Sequence, residues 1–160
     1  MQTKEYHTFD KSSWSDGPWQ HEPDKMQFTD DATGLPCLIV RNHAGSLCGY
    51  VGVAEGHPAF QKHYDDVDVN VHGGLTFSNP CHPGADESRH ICHIPDAGEP
   101  DHVWWLGFDC SHSGDYDPAY AHLRGHHDLS YPHGGYRTVS YVRRQIRQLA
   151  AQLANMGNAQ

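Results

Sequence analysis

Val103-Trp104-Trp105-Leu106-Gly107-Phe108-Asp109 is the most apolar run in the chain, and it passes directly into Cys110-Ser111-His112-Ser113-Gly114-Asp115. Aromatic and branched residues in a short run bounded by turn formers read as a strand. In a strand, Trp105, Gly107 and Asp109 share one face, while Trp104, Leu106, Phe108 and Cys110 share the other. Asp109 and Cys110 can then serve one site together only if the strand has already ended. A rigid strand that runs out into Asp, Cys, His and Asp is a common way to build a site, because the strand carries the groups and the turn aims them.

Three further strands are expected upstream. Residues 36–41, Pro36-Cys37-Leu38-Ile39-Val40-Arg41, and residues 47–53, Leu47-Cys48-Gly49-Tyr50-Val51-Gly52-Val53, form a hairpin across the turn at Asn42-His43-Ala44-Gly45-Ser46. Gly49 and Gly52 mark a bulge, or a place where a ligand or another backbone comes close. Residues 67–77 alternate, with Val67, Val69 and Val71 opposed to Asp68, Asn70 and His72, which predicts a third strand with His72 on its polar face. Gly73-Gly74 follows, allowing a tight turn that bares backbone N–H groups. The clearest element is a helix over 139–156: Val142, Ile146, Leu149 and Leu153 make one apolar stripe, Thr138 or Ser140 caps its start, and Gly157 ends it. Arg143, Arg144 and Arg147 lie mainly off that stripe. They could hold a phosphate or an acidic partner, a solvated helix face being the plainer reading.

The fold class that follows is α+β: a mainly antiparallel sheet with a C-terminal amphipathic helix packed on it, and long irregular loops. One domain spans residues 1–160, with a loop-rich N-terminal segment at 1–34 and a core at 36–156. Trp14, Trp19 and Phe28 pin the N-terminal segment to the body, and Asp24 to Thr29 reads equally as a short strand or a helical turn. Four Trp, eight Tyr and five Phe argue against disorder. A net charge of −9 disfavours binding to duplex nucleic acid. No run approaches the ~20 apolar residues that cross a bilayer. The start, Met1-Gln2-Thr3-Lys4-Glu5-Tyr6-His7, has no apolar core of a signal peptide, so a cytoplasmic protein with reduced thiols is expected from the five Cys: Cys37, Cys48, Cys81, Cys92 and Cys110.

The chain is histidine-rich, with 15 copies. Two long loops hold many of them. Residues 78–102 contain Cys81, His82, His90, Cys92 and His93, the ligand types of structural zinc, but without the two-residue gap of a zinc knuckle. Its plain reading is a variable surface loop. Residues 119–135 carry His122, His126, His127 and His133 and read as a surface or lid-like loop.

Three site chemistries arise. The metal reading takes His72, His112 and Asp115 (or Asp109) as ligands to a divalent ion such as zinc, with an open position for an acidified water and a second carboxylate as base. The thiol reading makes Cys110 a nucleophile, with His72 as its base and Asp109 or Asp115 as the orienting group. The structural reading makes Cys110 a small core residue, with Asp109, His112 and Asp115 closing a turn. Gly73, Gly74, Thr76 and Asp66 are the accompanying candidates for ligand contact.

The motifs His72-Gly73-Gly74-Leu75-Thr76-Phe77 and Trp104-Trp105-Leu106-Gly107-Phe108-Asp109-Cys110-Ser111-His112-Ser113-Gly114-Asp115 resemble a family of small uncharacterised proteins of bacteriophages and actinobacteria. The stretch from Gly49-Tyr50-Val51-Gly52-Val53 to Gly56-His57-Pro58 and the helix after Tyr136-Arg137 fit the same pattern. The resemblance covers about 36–77 and 103–155, leaves out the histidine-rich loops, and implies no activity. A phage origin would place the protein in a host cytoplasm, acting on a host factor or a small molecule. The expectation is a small metal-dependent hydrolase acting on a small molecule or host-derived substrate, with catalytic Asp109, Cys110 and Asp115. The alternative is a non-catalytic binding protein that sequesters a ligand or inhibits a host protein. A Cys–His thiol hydrolase is the third reading.

Overall fold

A computed structural model describes residues 1–82, 86–121 and 135–159. His122, His126, His127 and His133 lie outside the described residues. Six strands form one antiparallel sheet: β1 Lys4–Tyr6, β2 Lys25–Thr29, β3 Pro36–Arg41, β4 Leu47–Ala54, β5 Phe77–Pro80 and β6 Val103–Asp109, in the order β1-β2-β3-β4-β6-β5. Among the described residues one α-helix, α1 Val139–Asn158, packs on β3 and β4, so the α+β architecture stands. No helix among the described residues is long and apolar enough to cross a membrane.

Strand alternation divides the side chains between two layers. Met26, Phe28, Cys37, Ile39, Val51, Val53, Leu106, Phe108 and Cys110 face α1 and meet its stripe of Val142, Ile146, Leu149, Ala150 and Leu153. Each of these large side chains contributes roughly 1.5–3 kcal/mol by leaving water. Thr138 caps α1, its Oγ1 accepting from the Tyr141 N–H at 3.2 Å, while Gly157 lies inside the last turn rather than ending the helix. Gly49 and Gly52 mark neither a bulge nor a ligand: the β4–β6 ladder runs through both, and the rings of Phe108 and Trp105 lie across them.

The opposite face buries Leu38, Val40, Cys48, Tyr50, Val103 and Trp105. No helix covers it. The segment 86–102 does, held by two buried polar side chains of β2. Lys25 Nζ donates to the backbone oxygens of Glu87 and Cys92, and Gln27 binds the Ile94 peptide through both ends of its amide, at 3.2 and 2.9 Å. The segment expected to be a variable surface loop is an exposed loop that lies over this face, with Ile91 and the His93 ring packed against it. A Cys81–Cys92 disulfide staples its base, and Cys37, Cys48 and Cys110 remain as buried free thiols. This corrects the expectation of fully reduced cysteines and takes both thiolates away from a zinc site in this loop.

The strand expected at 67–77 is also corrected. Only its last residue joins the sheet, in β5. Val67 and Val71 are buried as the alternation requires. Their polar neighbours, however, bond to α1: Gln152 exchanges hydrogen bonds with the Asn70 peptide (2.7 and 2.8 Å), and Gln145 Oε1 accepts from the His72 N–H at 2.9 Å. Alternation reports which side chains are buried, and a side-chain amide can replace a neighbouring strand as the backbone's partner.

Residues 1–34, expected to be loop-rich, supply β1, β2 and a sealed ion network. Asp24, 2% exposed, binds Lys11 Nζ and Arg41 Nε at 2.7 Å each and accepts from the Thr8 and Phe9 N–H groups. Arg41 continues to Tyr136 Oη, and Tyr136 donates to Glu22, which also accepts from the Val139 N–H. Burial opposes charge on Asp24, but its four donors outweigh burial and hold the carboxyl below its ordinary range. Because the folded-state pKa is depressed, this stabilisation is present above the unfolded-state value and is lost as pH falls through it. Asp24→Ala strands two buried cations and is expected to cost about 3–5 kcal/mol in urea unfolding at neutral pH. The wild type should lose stability in acid more steeply than the variant. Thiol titration of denatured protein should count three free thiols without reductant and five after reduction.

Candidate functional site

The two motif stretches meet. His72 comes from the segment that runs along α1, its backbone fixed by Gln145. Its Nε2 lies 2.8 Å from Asp115 Oδ2, in the turn after β6, and its Nδ1 lies 2.8 Å from the hydroxyl of Tyr141, in the first turn of α1. Asp115 is 2% exposed. Its Oδ1 accepts from Arg137 Nε at 3.0 Å, and its Oδ2 also accepts from the His112 N–H at 3.1 Å. Burial again opposes the charge, and the hydrogen bonds from His72, Arg137 and the His112 amide override it, so Asp115 is held as a carboxylate below its ordinary range.

His112 stands beside this hydrogen-bonded chain, its ring 5.8 Å from that of His72. Its Nε2 is buried without a hydrogen-bond partner and sits 3.4 Å from Asp109 Oδ1, an ion-pair distance without hydrogen-bond geometry. Asp109 itself closes the strand end, accepting from the Ser111 N–H at 2.9 Å and from Thr76 Oγ1 at 3.0 Å. Thr76 is thus tied to Asp109 across the β5 entry. Gly73 makes room for His112: a Cβ there would lie 2.1 Å from His112 Nε2, and φ is +67°. Gly74 also has positive φ, but its N–H is spent on the Val71 carbonyl at 2.9 Å and is not a bare anion donor.

Two expected residues fall outside the constellation. Cys110 points from the strand end into the layer beneath α1, on the face opposite Asp109, and is buried. Burial, then the charges of Asp115 and Asp109, push its thiol well above the ordinary range, and the side chain packs in the core layer away from His72. Asp66 is exposed in the 3-10 turn Tyr64–Asp66 and makes no described bond to the other four residues. Among the described residues, no three His, Cys, Asp or Glu side chains are grouped to share one ion. An ion at His72 would have to replace its bond to Tyr141 or to Asp115.

Sequence reasoning missed Tyr141, Arg137 and Gln145 as site members. Their signal is positional: Tyr141 and Gln145 are four residues apart and share a helix face beside the apolar stripe, where a polar partner for a neighbouring segment belongs. A cleft of about 570 Å³ lies at the other end of α1, between Thr33, His57 and Asn155, and none of its lining residues belongs to this network. Comparison with protein-family models, curated proteins and solved structures finds no match to the chain.

Gly73→Ala is expected to cost more than Gly74→Ala. Both pay about 1–2 kcal/mol for a side chain in the left-handed region, but only Gly73→Ala also meets His112, since nothing lies within 4 Å of a Cβ at Gly74. Thermal unfolding gives the first term, and the histidine ring NMR signals of His112 and His72 should move only in Gly73→Ala.

Proposed function

We propose that the chain is a small hydrolase in which Asp115, His72 and Tyr141 act as a proton relay. The observation that carries this reading is His72, an imidazole held between a buried carboxylate and a phenol hydroxyl at 2.8 Å on each side. With Asp115 ionised, the hydrogen-bond network assigns the ring proton to Nε2 and leaves Nδ1 to accept from Tyr141. The logic is that of a carboxylate–imidazole–hydroxyl triad: the carboxylate fixes the tautomer and the imidazole takes the hydroxyl proton. As the Tyr141 oxygen bonds to an acyl or phosphoryl centre, its proton passes to His72 Nδ1. The imidazolium, stabilised by Asp115, then returns that proton to the departing oxygen. A water enters by the same route in reverse and releases the adduct.

A metal-dependent form of the hydrolase is the second reading, favoured by the unpartnered His112 Nε2 beside Asp109. His112, Asp109, His72 and Asp115 are ligand types for zinc or another divalent ion, which would acidify a bound water.

The test is hydrolysis of a panel of aryl esters and aryl phosphates by untagged protein. Tyr141→Phe and His72→Asn should each lower kcat/KM at least ~100-fold with unchanged circular dichroism. Full activity in Tyr141→Phe would overturn the relay. One equivalent of metal that disappears in His112→Ala would select the second reading. A wild type inert towards the whole panel would favour a non-catalytic binding protein.

A further inference from the structure

Two guanidinium groups beside the proposed relay keep terminal nitrogens without a hydrogen-bond partner among the described residues. Arg137 donates through Nε to Asp115, and its guanidinium lies 4.7 Å from the centre of the Tyr141 ring. Its two terminal nitrogens have no hydrogen-bond partner among the described residues. Arg144 is exposed, lies 5.7 Å from the same ring, and makes no hydrogen bond or ion pair among the described residues. His112 adds the buried, unpartnered Nε2. Arg143, by contrast, is spent over the Phe28 ring.

This placement runs against two trends. The chain carries 20 acidic and 11 Lys and Arg residues, yet among the described residues Asp115 alone pairs with Arg137, through one nitrogen, and no carboxylate pairs with Arg144. The first turn of α1 contains no acidic residue, so two guanidinium groups crowd the positive end of a 20-residue helix. Glu22 and Thr138 each take one backbone N–H there but pair with neither arginine. Cations at a helix N-terminus are unfavourable unless an anion joins them.

We propose that the substrate of this site is a small phosphate ester, its phosphoryl oxygens held by the terminal nitrogens of Arg137 and Arg144. The inference rests on the hydrolase reading and narrows it from acyl or phosphoryl transfer to phosphoryl transfer. A carboxylate has two oxygens and is satisfied by one guanidinium fork, whereas a phosphoryl group has enough oxygens for two. The net charge of −9 argues for a small ester rather than a nucleic-acid duplex. In the step that follows, the Tyr141 oxygen forms a bond to phosphorus as the phosphorus–alkoxide bond breaks. The phenol proton passes through His72 to the leaving alkoxide, and water then cleaves the phosphotyrosine adduct.

The experiment is calorimetric titration of untagged protein with inorganic phosphate, against acetate and sulfate, in wild type, Arg144→Gln, Arg137→Gln and His72→Asn. Each arginine substitution should weaken phosphate at least ~10-fold, and His72→Asn should keep it. Arg144 carries no structural bond, so Arg144→Gln remains informative if Arg137→Gln fails to fold. Unchanged binding in Arg144→Gln, or sulfate bound as tightly as phosphate (an adventitious ion only), would overturn the proposal, as would acetate equal to phosphate. Arginine-dependent phosphate binding in a protein that hydrolyses nothing would separate the two claims: the phosphate site stands and the relay falls.

Discussion

A carboxylate almost wholly removed from water is stable only if its oxygens are met by donors, and Asp115 meets that condition with groups from three parts of the chain. His72 comes from the segment that runs along α1, the His112 amide from the turn after β6, and Arg137 from the approach to α1. None of these segments bonds to its neighbour through a sheet ladder at this point. The carboxylate is what relates them. The same turn is pinned a second time where the Tyr116 N–H donates to the Gly135 carbonyl at 2.9 Å. His72 therefore reaches Tyr141 already oriented, its tautomer chosen by the charge behind it. Such preorganisation is what the proposed relay requires.

The sheet imposes the other constraint. Both of its faces are apolar, and one helix can cover only one of them. The second cover is a loop, and a loop laid on a core brings backbone polar groups that need partners. Lys25 and Gln27 provide them from within the sheet. The cost is visible on Lys25, where burial is the main influence and lowers the amine to about 8. The Cys81–Cys92 bond works in the same direction, shortening the chain that must be ordered over Trp105 and Tyr50.

These two constraints explain what could be read from the residues alone. The hairpin of β3 and β4, the Trp-rich β6 and the stripe of α1 were readable because period 2 and period 3.6 record burial directly. So was the split of β6, with Asp109 on one face and Cys110 on the other. The segment 67–76 shows the limit of that signal: its valines are buried as alternation demands, but the partner is a row of glutamines on α1, which no local pattern encodes. β2 was ambiguous because a lysine and a glutamine occupy buried positions, and only the loop above them makes that favourable. At the site, His72, Asp109, His112 and Asp115 were identifiable by type and by proximity to Gly73 and to the strand end. Tyr141 and Arg137 were not, because their roles depend on α1 docking its first turn against a loop 69 residues earlier in the chain.

The chain contains two polar networks of similar makeup, and the difference between them is the strongest physical argument for function. In the Lys11–Asp24–Arg41–Tyr136–Glu22 network, Asp24 and Arg41 are essentially sealed, and Asp24 accepts on both oxygens while Arg41 donates from all three nitrogens. Such a network closes on itself and specifies how the N-terminal segment docks. The Asp115 network does not close. It is anchored at the buried carboxylate, passes through His72 to the hydroxyl of a half-buried tyrosine, and ends near guanidinium nitrogens and an imidazole nitrogen that have no hydrogen-bond partner among the described residues. Leaving buried polar atoms unmet costs stability. A fold that satisfies Asp24 so fully has the means to do the same for His112 and Arg137, and the groups left unmet lie beside His72 and over the Tyr141 ring, where the proposed substrate would meet them.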